Sequence, residues 1–191
     1  MPKLIESTVE ENRRTRYAAL LESAVAIALE EGSSALTITA VAKRAGISRA
    51  GVYEYFSSKE DMVADLIVDE VKIWAQLLSS ATALVASPEE KIKAWLESAL
   101  GYVQSGRHKL ARELSSISLP DEKVSEVRTA HYQLLKPLVD ALTQYGVNDP
   151  MRTAMYINGL VEVATRRIDS GRMSEGECDF VIALALQLIS K

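Results

Sequence analysis

Few residues in this chain of 191 have the types and spacing to do chemistry. Two histidines, His108 and His131, and a single cysteine, Cys178, form neither an HExxH pair nor a zinc spacing. Glycine-rich phosphate loops and the GxSxG elbow are missing too. Catalysis, a metal and a cofactor are therefore not expected. The informative stretch is Thr37 to Asp61, TITAVAKRAGISRAGVYEYFSSKED. In it, Ser48 and the amides that follow can donate to a phosphate at the positive end of a helix dipole. Arg49 presents a guanidinium fork that matches guanine O6 and N7. Ala50 and Gly51 add almost no bulk beside it. This is chemistry for recognising double-stranded DNA.

Two short helices must hold these groups. Thr37 can cap a helix of barely two turns, Ile38–Ala45, whose inner face is Ile38, Val41, Ala42 and Ala45. Gly46 permits a reversal, Ile47 drops into a core, and Ser48 caps a second helix, Arg49–Phe56. Val52 and Phe56 stand four apart and point inward. The outer face then offers Arg49, Ala50, Gly51, Tyr53 and Tyr55. This pattern is a helix-turn-helix, which presents its second helix to a major groove. Gly51 costs about 1 kcal/mol against alanine inside a helix. Close approach of backbone to DNA and close packing of two helices both account for it.

The remaining sequence is punctuated as helix throughout. A first amphipathic helix runs from about Glu11 to Glu31, with Leu21, Ala24, Val25, Ala28 and Leu29 in one stripe and Gly32 as a left-handed cap. A long helix opens near Ser58, with reciprocal capping available from Ser57 to Glu60 or from Ser58 to Asp61. Pro88 starts another helix, carrying Ile92, Trp95, Leu96, Ala99 and Val103. A short helix lies between Gly106 and Leu119, and a longer one covers Glu122–Tyr145, kinked or broken at Pro137. Asp149-Pro150 opens a helix to Ser170, and a last one covers Ser174–Ser190. The expected fold is all-α, with roughly nine helices and no strands.

Composition places the chain among globular proteins: 48% hydrophobic and 25% charged, with a net charge of −4. Residues 1–60 balance their charge, with Lys3, Arg13, Arg14, Arg16, Lys43, Arg44, Arg49 and Lys59 against as many carboxylates. The acidic excess lies beyond them, and local neutralisation of phosphate needs only a basic face. For Arg13, Arg14 and Arg16 a solvated helix face is favoured over an arm near the minor groove. No stretch reaches the ~20 apolar residues of a membrane span. A lone cysteine and a polar N-terminus without an apolar signal core point to the cytoplasm.

Gly46-Ile47-Ser48, Val52-Tyr53-Glu54-Tyr55-Phe56 and Ser58-Lys59-Glu60 resemble the signature of TetR-family regulators, over about residues 13–65. The resemblance implies three N-terminal helices for DNA (1–57) and a helical ligand-binding and dimerisation domain (58–191). It implies that Thr37 and Thr39 touch phosphate or a base edge, and that Ser48, Arg49, Ala50 and Gly51 open the recognition helix. Tyr53 and Lys59 match an aromatic and a lysine that grip the DNA backbone. Tyr55 stands where many relatives carry histidine, and Glu54 departs in charge from a position that is often basic or polar.

In the second half, Trp74, Trp95, Tyr102, His108, Tyr132 and Tyr156 are candidates to line a ligand pocket, although core packing explains each of them as well. Arg107, Lys109 and Arg112 cluster where an anion could bind. Ile157, Leu160, Val161, Ala164 and Ile168 form one apolar stripe, and Phe180, Val181, Leu184 and Leu188 another. The final helix is apolar nearly all round, which points to a homodimer seam. The expected function is repression at a pseudo-palindromic operator, relieved by a small-molecule ligand. The alternative is a DNA-bound adaptor or activator controlled by a protein partner.

Overall fold

A computed structural model describes residues 2–105, 108–114, 117–172 and 176–190, with side chains from Thr8 onward except those of Ala111 and Arg112. Arg107 and Ser174 lie outside the described residues, as does the side chain of Arg112. Among the described residues there are nine helices and no strand: α1 Pro2–Glu31, α2 Ile38–Ala45, α3 Arg49–Tyr53, α4 Lys59–Ala83, α5 Pro88–Gln104, α6 His108–Leu114, α7 Asp121–Tyr145, α8 Pro150–Asp169 and α9 Glu177–Ile189. No helix is long and apolar enough to cross a membrane among these residues.

Local chemistry sets most of the boundaries. The Ser87 hydroxyl accepts from the Glu90 amide at 3.2 Å, and the Glu90 carboxylate accepts from the Ser87 amide at 3.1 Å, a complete capping box ahead of Pro88. The Asp149 carboxylate accepts from the Arg152 amide at 3.1 Å ahead of Pro150. Two limits differ from expectation. α1 starts at Pro2, because nothing between Lys3 and Glu10 breaks a helix. α3 stops at Tyr53, where Glu54 to Phe56 close as a turn, with the Tyr55 and Phe56 amides both donating to the Val52 carbonyl. α7 runs through Pro137 without a break. Near it, the Trp95 indole donates to the Leu134 carbonyl at 3.0 Å.

The chain divides into two compact units. The first comprises residues 1–69 and 109–127, and the second residues 70–108 and 128–191. In the first, α1 supplies Leu20, Ala24, Ile27 and Ala28, and these meet Val41, Val52, Phe56, Met62, Leu66 and, from α6, Leu114. The expected stripe on α1 is rotated: Leu29 is 51% exposed, and Leu20 and Ile27 are buried instead. The expected boundary at 57/58 falls inside this unit, where Phe56 shares a core with Met62, Val63 and Leu66. In the second unit α5, α8 and α9 pack together around Trp95, Leu96, Ile157, Val161 and Ala185.

Candidate nucleic-acid interface

The tip is built from local hydrogen bonds outward. The Thr37 hydroxyl accepts from the Ala40 amide at 3.1 Å and starts α2. Gly46 ends it at φ 67°, ψ 26°, the left-handed region that glycine enters without a Cβ penalty. The Ile47 amide then reaches back to the Ala42 carbonyl at 3.0 Å, which fixes the reversal. The Ser48 hydroxyl accepts from the Gly51 amide at 3.0 Å and starts α3. Both capping hydroxyls keep a proton to donate, and Thr37, Thr39 and Ser48 are exposed. Val52 and Phe56 are fully buried and tie α3 to the core.

The outward face carries Arg49, Ala50, Tyr53 and Glu54. Arg49 Nη2 donates to the Tyr53 hydroxyl at 3.3 Å, and its guanidinium carbon lies 5.8 Å from the ring centre. Lys59 is half-buried at the start of α4, with Nζ donating to the Ser33 carbonyl at 3.3 Å. Two residues expected on this face turn inward. A Cβ on Gly51 would lie 2.9 Å from Ile47 Cγ2 and 3.2 Å from the Ser48 hydroxyl, which supports the packing explanation of this glycine. Tyr55 is half-buried, with its ring 6.4 Å from Tyr17 and 6.4 Å from Phe56. The aromatic neighbour that draws it in comes from α1 and gives no local signal. The Arg13 guanidinium lies over the Tyr55 ring, 6.0 Å from its centre.

Other cations are already committed. Arg44 is bidentate to Glu30, at 2.7 and 2.8 Å, and this hydrogen bonding holds the Glu30 carboxyl below the usual carboxylate range. Arg14 pairs with Glu10 on the exposed face of α1, where Arg13 and Arg16 are also exposed.

The pocket candidates separate in the second unit. Trp74 stacks on Tyr102 at 4.7 Å and 11°, and the Tyr102 hydroxyl donates to Glu70 at 3.2 Å. Trp95 is buried, and His108 Nε2 lies 2.7 Å from Asp169 Oδ1. Among the described residues, Trp74 Nε1 and His108 Nδ1 are the buried side-chain polar atoms without a hydrogen-bond partner. Tyr132 and Tyr156 do not belong with them. They are exposed because the core side of α7 is taken by Ala130, Leu134, Leu138 and Ala141, and that of α8 by Ala154, Ile157 and Val161.

The seam residues also divide. Ile157, Val161, Ala164 and Val181 are buried in the core of their own unit, although Ala164 and Val181 also line the groove between α8 and α9. Phe180 is 65% and Leu188 54% exposed, and Leu160, Ile168 and Leu184 are half-buried. Periodicity missed Met155 and Val163, which are exposed as well. A groove of about 520 Å³ runs between α8 and α9, lined by Leu160, Val163, Arg167, Phe180 and Leu184 among others. Arg167 and Glu177, both in its lining, form an ion pair.

A capped, nearly bare helix held on the core that α1, α2, α4 and α6 share, and followed by a second helical unit, has the layout of a helix-turn-helix regulator. Residues 20–66 match the family described as bacterial regulatory proteins, tetR family. A fatty acid metabolism regulator protein of Bacillus subtilis is 23% identical over 177 residues, covering 93% of this chain and 79% of its own. The fold is shared with FadR of Bacillus halodurans (TM-score 0.70, 19% identity, 91% and 97% of the two chains). It is also shared with FadR of Bacillus subtilis in complex with stearoyl-CoA (TM-score 0.70, 18% identity, 91% and 95%). Residues 20–66 thus form a tetR-family domain, and the chain as a whole shares the fold of solved tetR-family regulators.

The Gly51 geometry makes a prediction about stability. Gly51→Ala gains helix propensity of about 1 kcal/mol but overpacks against Ile47, whose branched Cβ is stiff, at about 1–3 kcal/mol. Denaturant midpoints should fall in Gly51→Ala and recover part of the loss in the Ile47→Ala background. Strict additivity of the two changes counts against the packing account.

Proposed function

We propose that the protein is a homodimeric repressor. In this reading it sets two copies of the Thr37–Lys59 tip on a pseudo-palindromic duplex and leaves it when a long-chain acyl-CoA enters the second unit. The observation that carries the DNA half is the tip itself: Arg49 and Tyr53 exposed on a five-residue helix anchored from behind. Arg49 would read a base edge, with Ser48, Thr37, Thr39, Tyr53 and Lys59 on the phosphates. Each of these groups either keeps a donor or is held by a neutral partner it can exchange.

The ligand half draws on the relatives. One is named for fatty acid metabolism, and another was solved with stearoyl-CoA. The buried Trp74 Nε1 is a donor without an acceptor, and His108 Nδ1 also lacks a partner. A polar group of an otherwise apolar ligand would satisfy either. Self-association is supported by Phe180, Leu188, Met155 and Val163, which leave an apolar face uncovered on α8 and α9. A two-fold pairing would set the tips about 34 Å apart, or a multiple of it.

Selection from a random duplex pool with the full chain should recover a pseudo-palindrome. Lys59→Ala should weaken all sequences alike and flatten the salt slope by about 0.9. Arg49→Ala should relax preference at one symmetric base pair, worth about 1–3 kcal/mol. A folded protein that retains no duplex at low salt overturns the DNA reading.

Stearoyl-CoA should weaken binding to the selected duplex by about 5- to 150-fold, and coenzyme A without its acyl chain should not. Equal effects of the two, or no effect of either at saturation, overturn the ligand class.

Phe180→Glu should shift sedimentation from dimer to monomer and weaken duplex binding with it. An unchanged dimer places the seam elsewhere.

A further inference from the structure

Lys123, in the first turn of α7, holds its ammonium among three carboxylates of the first unit. Asp65 Oδ1 is at 2.7 Å, Asp61 Oδ1 at 3.4 Å and Glu126 Oε2 at 3.3 Å. Glu126 stands on α7 itself, three residues away, and ties Lys123 to its own helix. The other two lead elsewhere.

Asp61 uses Oδ2 for the Ser57 amide at 2.8 Å and the Ser57 hydroxyl at 3.0 Å. Its own amide donates to the Ser58 hydroxyl at 3.0 Å. Burial opposes its charge, but these bonds and Lys123 outweigh that and hold the carboxyl below the usual range. Asp61 therefore fixes the link between α3 and α4. Asp65 accepts from the Tyr17 hydroxyl at 3.1 Å through Oδ2. Tyr17 in turn packs its ring 5.5 Å from Phe56 and 6.4 Å from Tyr55. Both routes from Lys123 end at the C-terminal end of the recognition helix, one through hydrogen bonds and the other through aromatic packing.

The ammonium is also what makes this arrangement tolerable. Asp61 and Asp65 are like charges four residues apart on one helix face, a repulsive pair when alone. Lys123 is 22% exposed in its side chain, so water screens the cluster less than a surface pair. α7 is a single helix whose residues from Arg128 onward belong to the second unit.

We propose that Lys123 is a positioning residue for DNA reading: through Asp61 and Asp65 it clamps the exit of the recognition helix. The proposal rests on the DNA reading above.

The test uses the full chain as wild type, Lys123→Met, Lys123→Arg, Tyr17→Phe and Glu126→Gln, with two readouts. Amide hydrogen exchange is followed across residues 53–61 in free protein, and affinity is measured for the selected duplex. Lys123→Met should exchange about tenfold faster across 53–61 and bind duplex about tenfold more weakly. Lys123→Arg and Glu126→Gln should stay within about twofold of wild type in both readouts. Tyr17→Phe opens only the Asp65 route and should weaken binding about threefold; it carries the test if Lys123→Met fails to fold. Wild-type exchange across 53–61 in Lys123→Met overturns the clamp. Faster exchange with unchanged duplex affinity leaves only a brace and overturns the positioning role. An equal loss in Glu126→Gln overturns it too, because charge count rather than the two routes would then matter. If wild type binds no duplex, the DNA reading falls and with it the positioning role, while the exchange readout separately decides whether the clamp exists.

Discussion

A helix of five residues has no stability of its own in water, because nucleation fixes several dihedrals in return for one hydrogen bond. α3 is such a helix, and the construction of the first unit follows from holding it up from outside. Val52 and Phe56 are sunk completely into a core that α1, α2, α4 and α6 share. Ser48 closes its first turn, and the left-handed Gly46 with the Ile47 amide sets its direction. Because support comes from behind, the outward face can stay almost bare. A longer helix would gain stability from its own ladder, but it would also bring more side chains to the surface that has to approach a partner.

The parts of this unit that were legible in the sequence are those decided by chemistry within one turn. Thr37 and Gly46 delimit α2 to the residue, and Ser48, Pro88 and Asp149-Pro150 mark the starts of their helices. What sequence could not supply is the far partner. Periodicity placed Tyr55 outward, but Tyr17 offers it an aromatic surface. Gly51 admits two explanations from sequence, and the packing one finds its support only in the position of Ile47 Cγ2. The stripes on α8 and α9 had the right period for a seam, yet the same period serves a core. Only burial distinguishes Val161 and Val181, which face inward, from Val163 and Phe180, which do not. Lys123 gave no signal, because the aspartates that define its role belong to another helix.

Net charge is a poor guide to nucleic-acid binding in this chain, and the partners of individual cations are a better one. Arg44 and Lys123 are each matched by carboxylates in the first unit. To move either onto a phosphate, an ion pair must first be broken, and the abandoned carboxylate would then face the same polyanion. Arg49 and Lys59 are held differently, by a tyrosine hydroxyl and a main-chain carbonyl, both neutral. Exchanging those partners for phosphate or a base edge adds charge compensation instead of removing it, and leaves behind a group that water can satisfy. Two neutrally held cations flanking a bare helix can therefore offer an anion more than a larger count of paired ones, even in a protein of net charge −4. The acidic excess lies outside residues 1–60, and exposed charges more than a Debye length of about 8–10 Å from a contact are largely screened from it.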